Sequence, residues 1–325
     1  MGEKAYDIVA LGEILIDFTP HPQEDGALYF RRNPGGAPLN LLAQASNLGA
    51  KCAFLGKVGR DGFGDFLEQV AREVGVDTGG LRRDEKVPTT LAFVHLAENG
   101  ERSFSFYRKP GADIMLEERE LDVERIQSAR IFHFGSLSAT DEPARSATRK
   151  AVALARGAGC IVSYDPNFRP ALWERKEDAI EQMREQIAHA HVVKVSEEEM
   201  EMLTGEADPE RGSAAIADGG ASLVCVTYGA EGSYYRCGSL FGKAESFPVK
   251  AVDTTGAGDA FWGTVLSLLK DKTLEEIRTL SEKELQHIVR CGNAAGALAA
   301  SAYGAINSMR GMQEILALAE GTRHD

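Results

Sequence analysis

Residues 251–261 read Ala-Val-Asp-Thr-Thr-Gly-Ala-Gly-Asp-Ala-Phe, and the fold expected of this chain follows from how that stretch is parsed. A short apolar strand end passes through Thr254, Thr255, Gly256, Ala257 and Gly258 into an apolar helical pattern from Ala260 to Leu269. That is a loop feeding a helix start. The glycines at 256 and 258 let successive N–H groups point one way, and the unpaired amides of the first helical turn add to them. Such a loop makes an anion hole. Asp259 stands inside it, where the helix dipole favours the ionised carboxylate and hence a proton acceptor. An anion site beside a base suggests phosphoryl transfer to a hydroxyl. For Gly-x-Gly-Asp alone, the competing reading is a glycine-rich turn capped by an aspartate.

The rest of the composition narrows the class. A chain of 325 residues can bury a large core as one large α/β domain or two smaller ones. With 43% hydrophobic and 26% charged residues, general disorder is not expected. The formal charge of −13 argues against a nucleic-acid-binding surface, which would show as a basic excess. Cys52, Cys160, Cys225, Cys237 and Cys291 are odd in number and widely separated, mostly inside apolar runs. They read as reduced core thiols, which suits the cytoplasm. No apolar run approaches 18 residues, and Met1 to Asp7 is charged and leads straight into a strand, so neither a membrane span nor a signal peptide is expected.

Taken in order, Tyr6 to Gly12 predicts a strand, and Ile14 to Phe18 a second one carrying Asp17, an aspartate placed either at a water-facing edge or at a ligand site. Gly35-Gly36-Ala37-Pro38-Leu39-Asn40 opens a helix to about Leu48 and permits close approach to backbone. Lys51 to Val58 predicts a strand, and Gly59 to Gly64 opens a helix to about Glu73. Val87 to Glu98 and Glu101 to Arg108 predict a hairpin turning at Glu98-Asn99-Gly100. That hairpin interrupts the alternation, so it is expected in a small accessory sheet and, with the Ile14 to Phe30 region, in a lid. From Ala129, strands at Ala129 to Phe134, Cys160 to Tyr164, Val192 to Val195 and Leu223 to Thr227 alternate with helices, the mark of a parallel sheet. Ligands then gather at the carboxyl ends, where Asp165 to Arg169, Lys194 to Glu199 and Thr227 to Gly232 lie. Gly232 to Arg236 and Ser246 to Val252 are expected as a closing hairpin, and Ser281 to Ala300 as a long helix carrying Asn293. His189 and His191 are read as helical, on different faces.

Sharper motifs fail. Gly56-Lys57 is followed by Val58 and Gly242-Lys243 by Ala244, so there is no P-loop. Ser136 lies in Gly-Ser-Leu-Ser, not in a nucleophile elbow, and Gly12 stands alone where a dinucleotide fingerprint needs three glycines.

Together these pieces resemble the ribokinase/pfkB family of sugar kinases, in its fructokinase branch. The resemblance rests on Gly35-Gly36-x-x-x-Asn40, extending through Gly49 and Gly56 to Gly64, and on the Asp253-to-Asp259 box, with most of the chain between them. It implies a single ribokinase-like α/β three-layer sandwich over residues 1–325, with a mostly parallel central sheet and a small β-sheet lid formed by about 13–36 and 87–110. Asp259 would be the catalytic base, with Gly256, Ala257 and Gly258 stabilising the transferred phosphoryl group of ATP. Asp17, Gly35, Gly36, Asn40, Phe106, Arg108 and Arg169 would bind the sugar. Thr227, Gly229, Gly232 and Asn293 would lie along ATP. Glu199 would organise Mg²⁺ indirectly, although Ser196 stands where the family's Asn-x-x-Glu motif has asparagine. Asp253, Thr255 and Gly304 would form a monovalent-cation loop, with K⁺ a candidate ion.

The 106–113 and 165–169 segments look like fructokinase versions, which points to D-fructose converted to fructose 6-phosphate. A 2-keto-3-deoxygluconate kinase is the alternative, since arginines at 108 and 169 can grip a carboxylate, and a nucleoside or aminoimidazole riboside kinase stands behind it. A catalytically silent sugar-binding relative is the non-enzymatic alternative, disfavoured by the intact Asp259. No nucleic-acid or membrane partner is expected, and the lid offers a face for a homodimer.

Overall fold

The computed structural model describes residues 4–22, 28–96 and 102–321. In chain order, β1 (Tyr6–Leu11), β2 (Leu15–Pro22) and β3 (Leu28–Gly35) lead into α1 (Ala37–Asn47). Then come β4 (Cys52–Gly59), α2 (Gly62–Glu73), β5 (Val76–Asp84), β6 (Leu91–Leu96) and β7 (Arg102–Tyr107). The next stretch alternates: α3 (Val123–Gln127), β8 (Ala129–Gly135), α4 (Ala144–Gly157), β9 (Ile161–Asp165), α5 (Lys176–Ile187), β10 (Val192–Ser196), α6 (Glu197–Thr204), α7 (Pro209–Asp218) and β11 (Leu223–Thr227). The hairpin of β12 (Ser233–Cys237) and β13 (Leu240–Ala244) precedes α8 (Ala257–Leu269), α9 (Leu274–Arg278), α10 (Glu282–Ala300) and α11 (Met312–Ala319).

The large sheet has the order β13-β12-β11-β10-β9-β8-β1-β4-β5, parallel throughout except for the closing hairpin. Its central strands are apolar without alternation because helices cover both faces. β1, β8 and β10 contribute Ile8, Val9, Ile131, Phe132, Val192 and Val193, all fully buried. One core cluster joins α1, α8, α10 and α11 to the sheet, and a second joins α4, α5, α6 and α7 to its other face. Helix α8, Ala-Gly-Asp-Ala-Phe-Trp-Gly-Thr-Val-Leu-Ser-Leu-Leu, has almost no polar face because α1 and α10 enclose it. Strand order runs outward from β1 in both directions, so a topological switch lies between β1 and β8, where open sheets take ligands.

The small sheet has the order β3-β2-β6-β7, and its strands fall within 13–36 and 87–110. Strands β2 and β6 pair in parallel, and the two outer pairings are antiparallel. Period-two alternation divides its faces. Phe18, Phe30, Phe93 and Tyr107 cluster on one face, with Phe93 4.8 Å from Phe18, 5.3 Å from Phe30 and 5.5 Å from Tyr107 between ring centroids. Asp17, Asn33 and Phe106 lie on the other, toward the large sheet's carboxyl edge.

Three expectations need correction. Strand β5 was not foreseen, because Val-Asp-Thr-Gly-Gly-Leu-Arg-Arg-Asp carries two glycines and four charges; it is an edge strand, paired only to β4, and tolerates them. The closing hairpin returns through 240–244 and not 246–252. Gly238, at φ +57°, makes the tight turn that frees the later segment to line a cavity. His189 and His191 follow the end of α5 at Ile187 and are not helical. The hairpin turn expected at Glu98-Asn99-Gly100 lies outside the described residues. No helix among the described residues is long and apolar enough to cross a membrane.

Candidate active site

Two cavities open at the carboxyl edge of the large sheet and meet at the start of α8. The first, about 530 Å³, is walled by Glu13, Asp17, Gly36, Asn40, Phe106, Asn167, Arg169, Lys194, Gly256 and Asp259, among others. The second, about 370 Å³, is walled by Thr227, Gly229, Gly232, Phe247, Ala257, Phe261 and Asn293, among others. Thr254 and Gly258 belong to both walls. The loop of residues 254–258 is therefore the partition, and a group handed between the cavities must pass it.

Asp259 lies on the first turn of α8 with its carboxylate in the larger cavity. Dense surroundings on its protein side push its pKa up to about 6; the Asn40 hydrogen bond pulls down, Asp165 pushes up, and Lys194 and Arg169 pull down again. The helix start thus does not decide its titration; burial does. The carboxyl remains ionised at neutral pH and is a stronger base than an exposed aspartate.

The loop geometry needs glycine for separate reasons. Gly256 caps α8 at φ +80°, and a Cβ there would stand 2.7 Å from the Ala305 Cβ. Gly36 has φ +113°, with the Glu13 carbonyl oxygen 2.5 Å from where its Cβ would be. At Gly35 the reason is space, since a Cβ would overlap the Asp17 carboxylate. Gly35 therefore backs Asp17 instead of facing the cavity. Asp17 itself is pushed up to about 7 by burial, opposed by Arg169 and reinforced by Asp253 and Asp259.

The structure gathers Asp17, Gly36, Asn40, Phe106, Arg169, Gly256, Gly258 and Asp259 at one cavity, and Thr227, Gly229, Gly232, Ala257 and Asn293 at the other. Arg108 is not among the residues walling the larger cavity. It is buried, with Nε donating to Asp113 Oδ2 at 2.8 Å, Nη1 to Thr140 Oγ1 at 2.9 Å and Nη2 to the Leu137 carbonyl at 2.7 Å. A guanidinium so occupied ties the end of β7 to the body. The Asn293 amide is likewise engaged, accepting from Ser233 Oγ and donating to the Ala244 and Glu245 carbonyls. Glu199 walls neither cavity; its two oxygens accept from Phe168 N and Ser196 N, each at 2.7 Å. Among the described residues no group of three or more His, Cys, Asp or Glu side chains is placed to hold a metal ion. Asp253 accepts from Thr255 N at 2.9 Å and from Gly304 N at 3.1 Å, which draws those three residues together.

Three residues lie outside the two motifs, although Asp165 and Lys194 open the carboxyl-end segments that the sequence pointed to without giving either of them a role. Glu13 is buried, accepts from Ala37 N at 2.9 Å and is pushed up to about 7 by burial. Lys194 and Asp165 form a buried ion pair of 2.9 Å beside Asp259. Burial alone would lower the Lys194 ammonium, but Asp165 and then Glu199 hold it above its ordinary value. The available signal was a charged residue inside an apolar strand, Val-Val-Lys-Val-Ser, at a sheet's carboxyl end.

The chain matches the pfkB family of carbohydrate kinases over residues 5–311. It is 41% identical to the probable fructokinase-4 of Arabidopsis thaliana, covering 98% of both proteins, and 42% identical to fructokinase-1 of Zea mays, covering 96% of this chain and 97% of the maize protein. Among solved structures, the fructokinase of Xylella fastidiosa with bound ATP superposes with a TM-score of 0.90 at 34% identity, covering 97% of this chain and 99% of that one. The fructokinase of Vibrio cholerae O395 in its fructose-, ADP- and calcium-bound form gives 0.85 at 33% identity, covering 96% and 98%. The chain belongs to the pfkB family of carbohydrate kinases. Its ribokinase-like fold and its class as an ATP-dependent sugar kinase of the fructokinase type follow.

Proposed function

We propose that this enzyme transfers the γ-phosphoryl group of ATP to the 6-hydroxyl of D-fructose, with the sugar in the larger cavity and the nucleotide in the smaller. The observation carrying this reading is the partition: two cavities share only Thr254 and Gly258 among their walls, and a carboxylate of raised basicity stands beside that opening. Asp17, Gly36 and Asn40 offer the directional hydrogen bonds a polyol needs, with Gly35 leaving room for the Asp17 carboxylate. Phe106 and Arg169 close the far wall. Asp259 takes the hydroxyl proton as oxygen attacks, and the Gly256 and Gly258 amides face the charge on the phosphoryl oxygens, while Ala257 N donates to the Thr254 carbonyl at 3.2 Å. Thr227, Gly229, Gly232 and Asn293 line the nucleotide's path.

Mg²⁺, when bound, would neutralise phosphate charge, and Glu199 would reach it only through water, since that carboxylate walls neither cavity and accepts from Phe168 N and Ser196 N; the residues of the Asp253, Thr255 and Gly304 loop would hold a monovalent cation such as K⁺. The small sheet acts as a lid that excludes water, the competing phosphoryl acceptor. Its outer aromatic face, with Leu28 60% and Tyr107 65% exposed, supports a homodimer through the lid. Five buried cysteines without disulfides suit the cytoplasm.

A keto-acid substrate calls for an arginine pair on its carboxylate, and the engagement of Arg108 with Asp113 argues against one. The test is ADP release from ATP over a panel of fructose, ribose, 2-keto-3-deoxygluconate and nucleosides. Fructose is expected to give the highest kcat/KM; preference for the keto acid would replace it as substrate.

A further inference from the structure

Lys194 is a lysine in the middle of the large sheet. Its strand neighbours Val193 and Val195 are fully buried, and Lys194 itself is 7% exposed. An ion pair in such a place adds little to stability compared with apolar residues of the same size, so packing alone does not explain it. Its position offers a reason. The ammonium bonds Asp165 Oδ2 at 2.9 Å, and Lys194 is among the residues that wall the larger cavity, along with Asp259. A Cβ built on Gly258 would come within 3.2 Å of Lys194 Nζ, so the ammonium lies against one of the two residues that both cavities share. A cation with three donors, one of them given to Asp165, thus stands where the migrating group must pass.

We infer that Lys194 is the protein's own cation for the phosphoryl group in flight, held in place by Asp165. The inference rests on the kinase reading of Asp259. In the step, the sugar oxygen forms a bond to the γ-phosphorus while the bond from that phosphorus to the β,γ-bridging oxygen breaks. The electron pair of the broken bond leaves with ADP, and the hydroxyl proton goes to Asp259. Lys194 gains and loses no proton. Its ammonium meets the negative charge spread over the equatorial oxygens, which is largest midway between the two cavities. Asp165 is a positioning residue: it fixes the ammonium and keeps it charged in a buried site. The absent side chain at Gly258 leaves the ammonium a path to the phosphoryl group.

The test compares wild type with Lys194→Met, Lys194→Arg and Asp165→Asn in the full chain. Steady-state kinetics with ATP and fructose are measured alongside calorimetric binding of ADP and of fructose and thermal melting. Lys194→Met is expected to lower kcat by about 10²–10³, the usual loss on removing one preorganised electrostatic donor, with both binding constants within a few-fold of wild type. Lys194→Arg restores part of kcat, and Asp165→Asn lowers kcat less than Lys194→Met. In Lys194→Ala, added methylammonium recovers turnover. If Lys194→Met does not fold, Lys194→Arg and the amine series carry the test. Normal kcat in Lys194→Met, or a lower melting temperature with neither a kcat defect nor a response to amine, overturns the inference and leaves a structural ion pair. Absence of ADP release by wild type with every sugar overturns the kinase reading as well, so the two failures are distinct.

Discussion

Asn40 Nδ2 donates to Asp259 Oδ2 at 2.8 Å across 219 residues of sequence. The helix that follows the first glycine pair and the helix that follows the second glycine box are thereby joined at the carboxylate in the larger cavity. The bond fixes the orientation of Asp259 and opposes the rise in its pKa.

Asp259→Asn should retain the fold and lose turnover by about 10²–10⁴, the range for removing a general base. Coupled ADP release measures the loss, and circular dichroism with thermal melting checks the fold. Turnover equal to wild type would exclude Asp259 as the base.

The acid limb of kcat/KM should fall through a pH of about 6, because the base must be ionised and burial raises its pKa to that value. In Asn40→Ala the lowering hydrogen bond is gone, so the limb should move to higher pH. A limb unchanged by Asn40→Ala would uncouple that bond from the base.

Stability should run the opposite way. Asp259, Asp17 and Glu13 have folded values of about 6, 7 and 7, above their ordinary 3.8, 3.8 and 4.5. Between those limits the folded chain binds more protons than the unfolded one, so this contribution to stability is present below the ordinary values and lost as pH rises through the window. At pH 8, Asp17→Asn should raise the melting temperature on the order of 1 °C while weakening sugar binding. Thermal scans at pH 5 and 8, with fructose KM, test both halves.

Arg108 and Arg169 should separate. Arg108→Ala leaves Asp113 buried without its partner, a change that costs about 3–5 kcal/mol and should appear as a lower melting temperature with fructose KM in the folded protein little changed. Arg169→Ala, at an exposed cavity wall, should raise KM and leave stability within about 0.5 kcal/mol. The reverse pattern would return Arg108 to the sugar.

Gly35→Ala should raise fructose KM about tenfold or more, since displacing the Asp17 carboxylate removes binding energy of about 1.4 kcal/mol or more. Gly62→Ala, where an added methyl meets nothing within 4 Å, is the matched control.

Periodicity gave away the repeated strand–helix units from 129 onward and the long last helices, because each buries a continuous apolar face whose spacing is written locally. Glycine chemistry gave away Gly36 and Gly256, which need positive φ, and with them Asp259 at a helix start. Strand β5 stayed hidden, since an edge strand needs no apolar run, and the return arm at 240–244 was masked by a more apolar segment that the tight turn at Gly238 bypasses. The sequence alone determined the family, the glycine loops and the place of Asp259 at a helix start. Tertiary structure decided which partner each charge meets: it turned Arg108 onto Asp113 and brought Lys194, paired with Asp165, beside Gly258. The reason is physical, since a strand's sequence records that a residue is charged, and only the packing of distant elements determines which partner that charge meets.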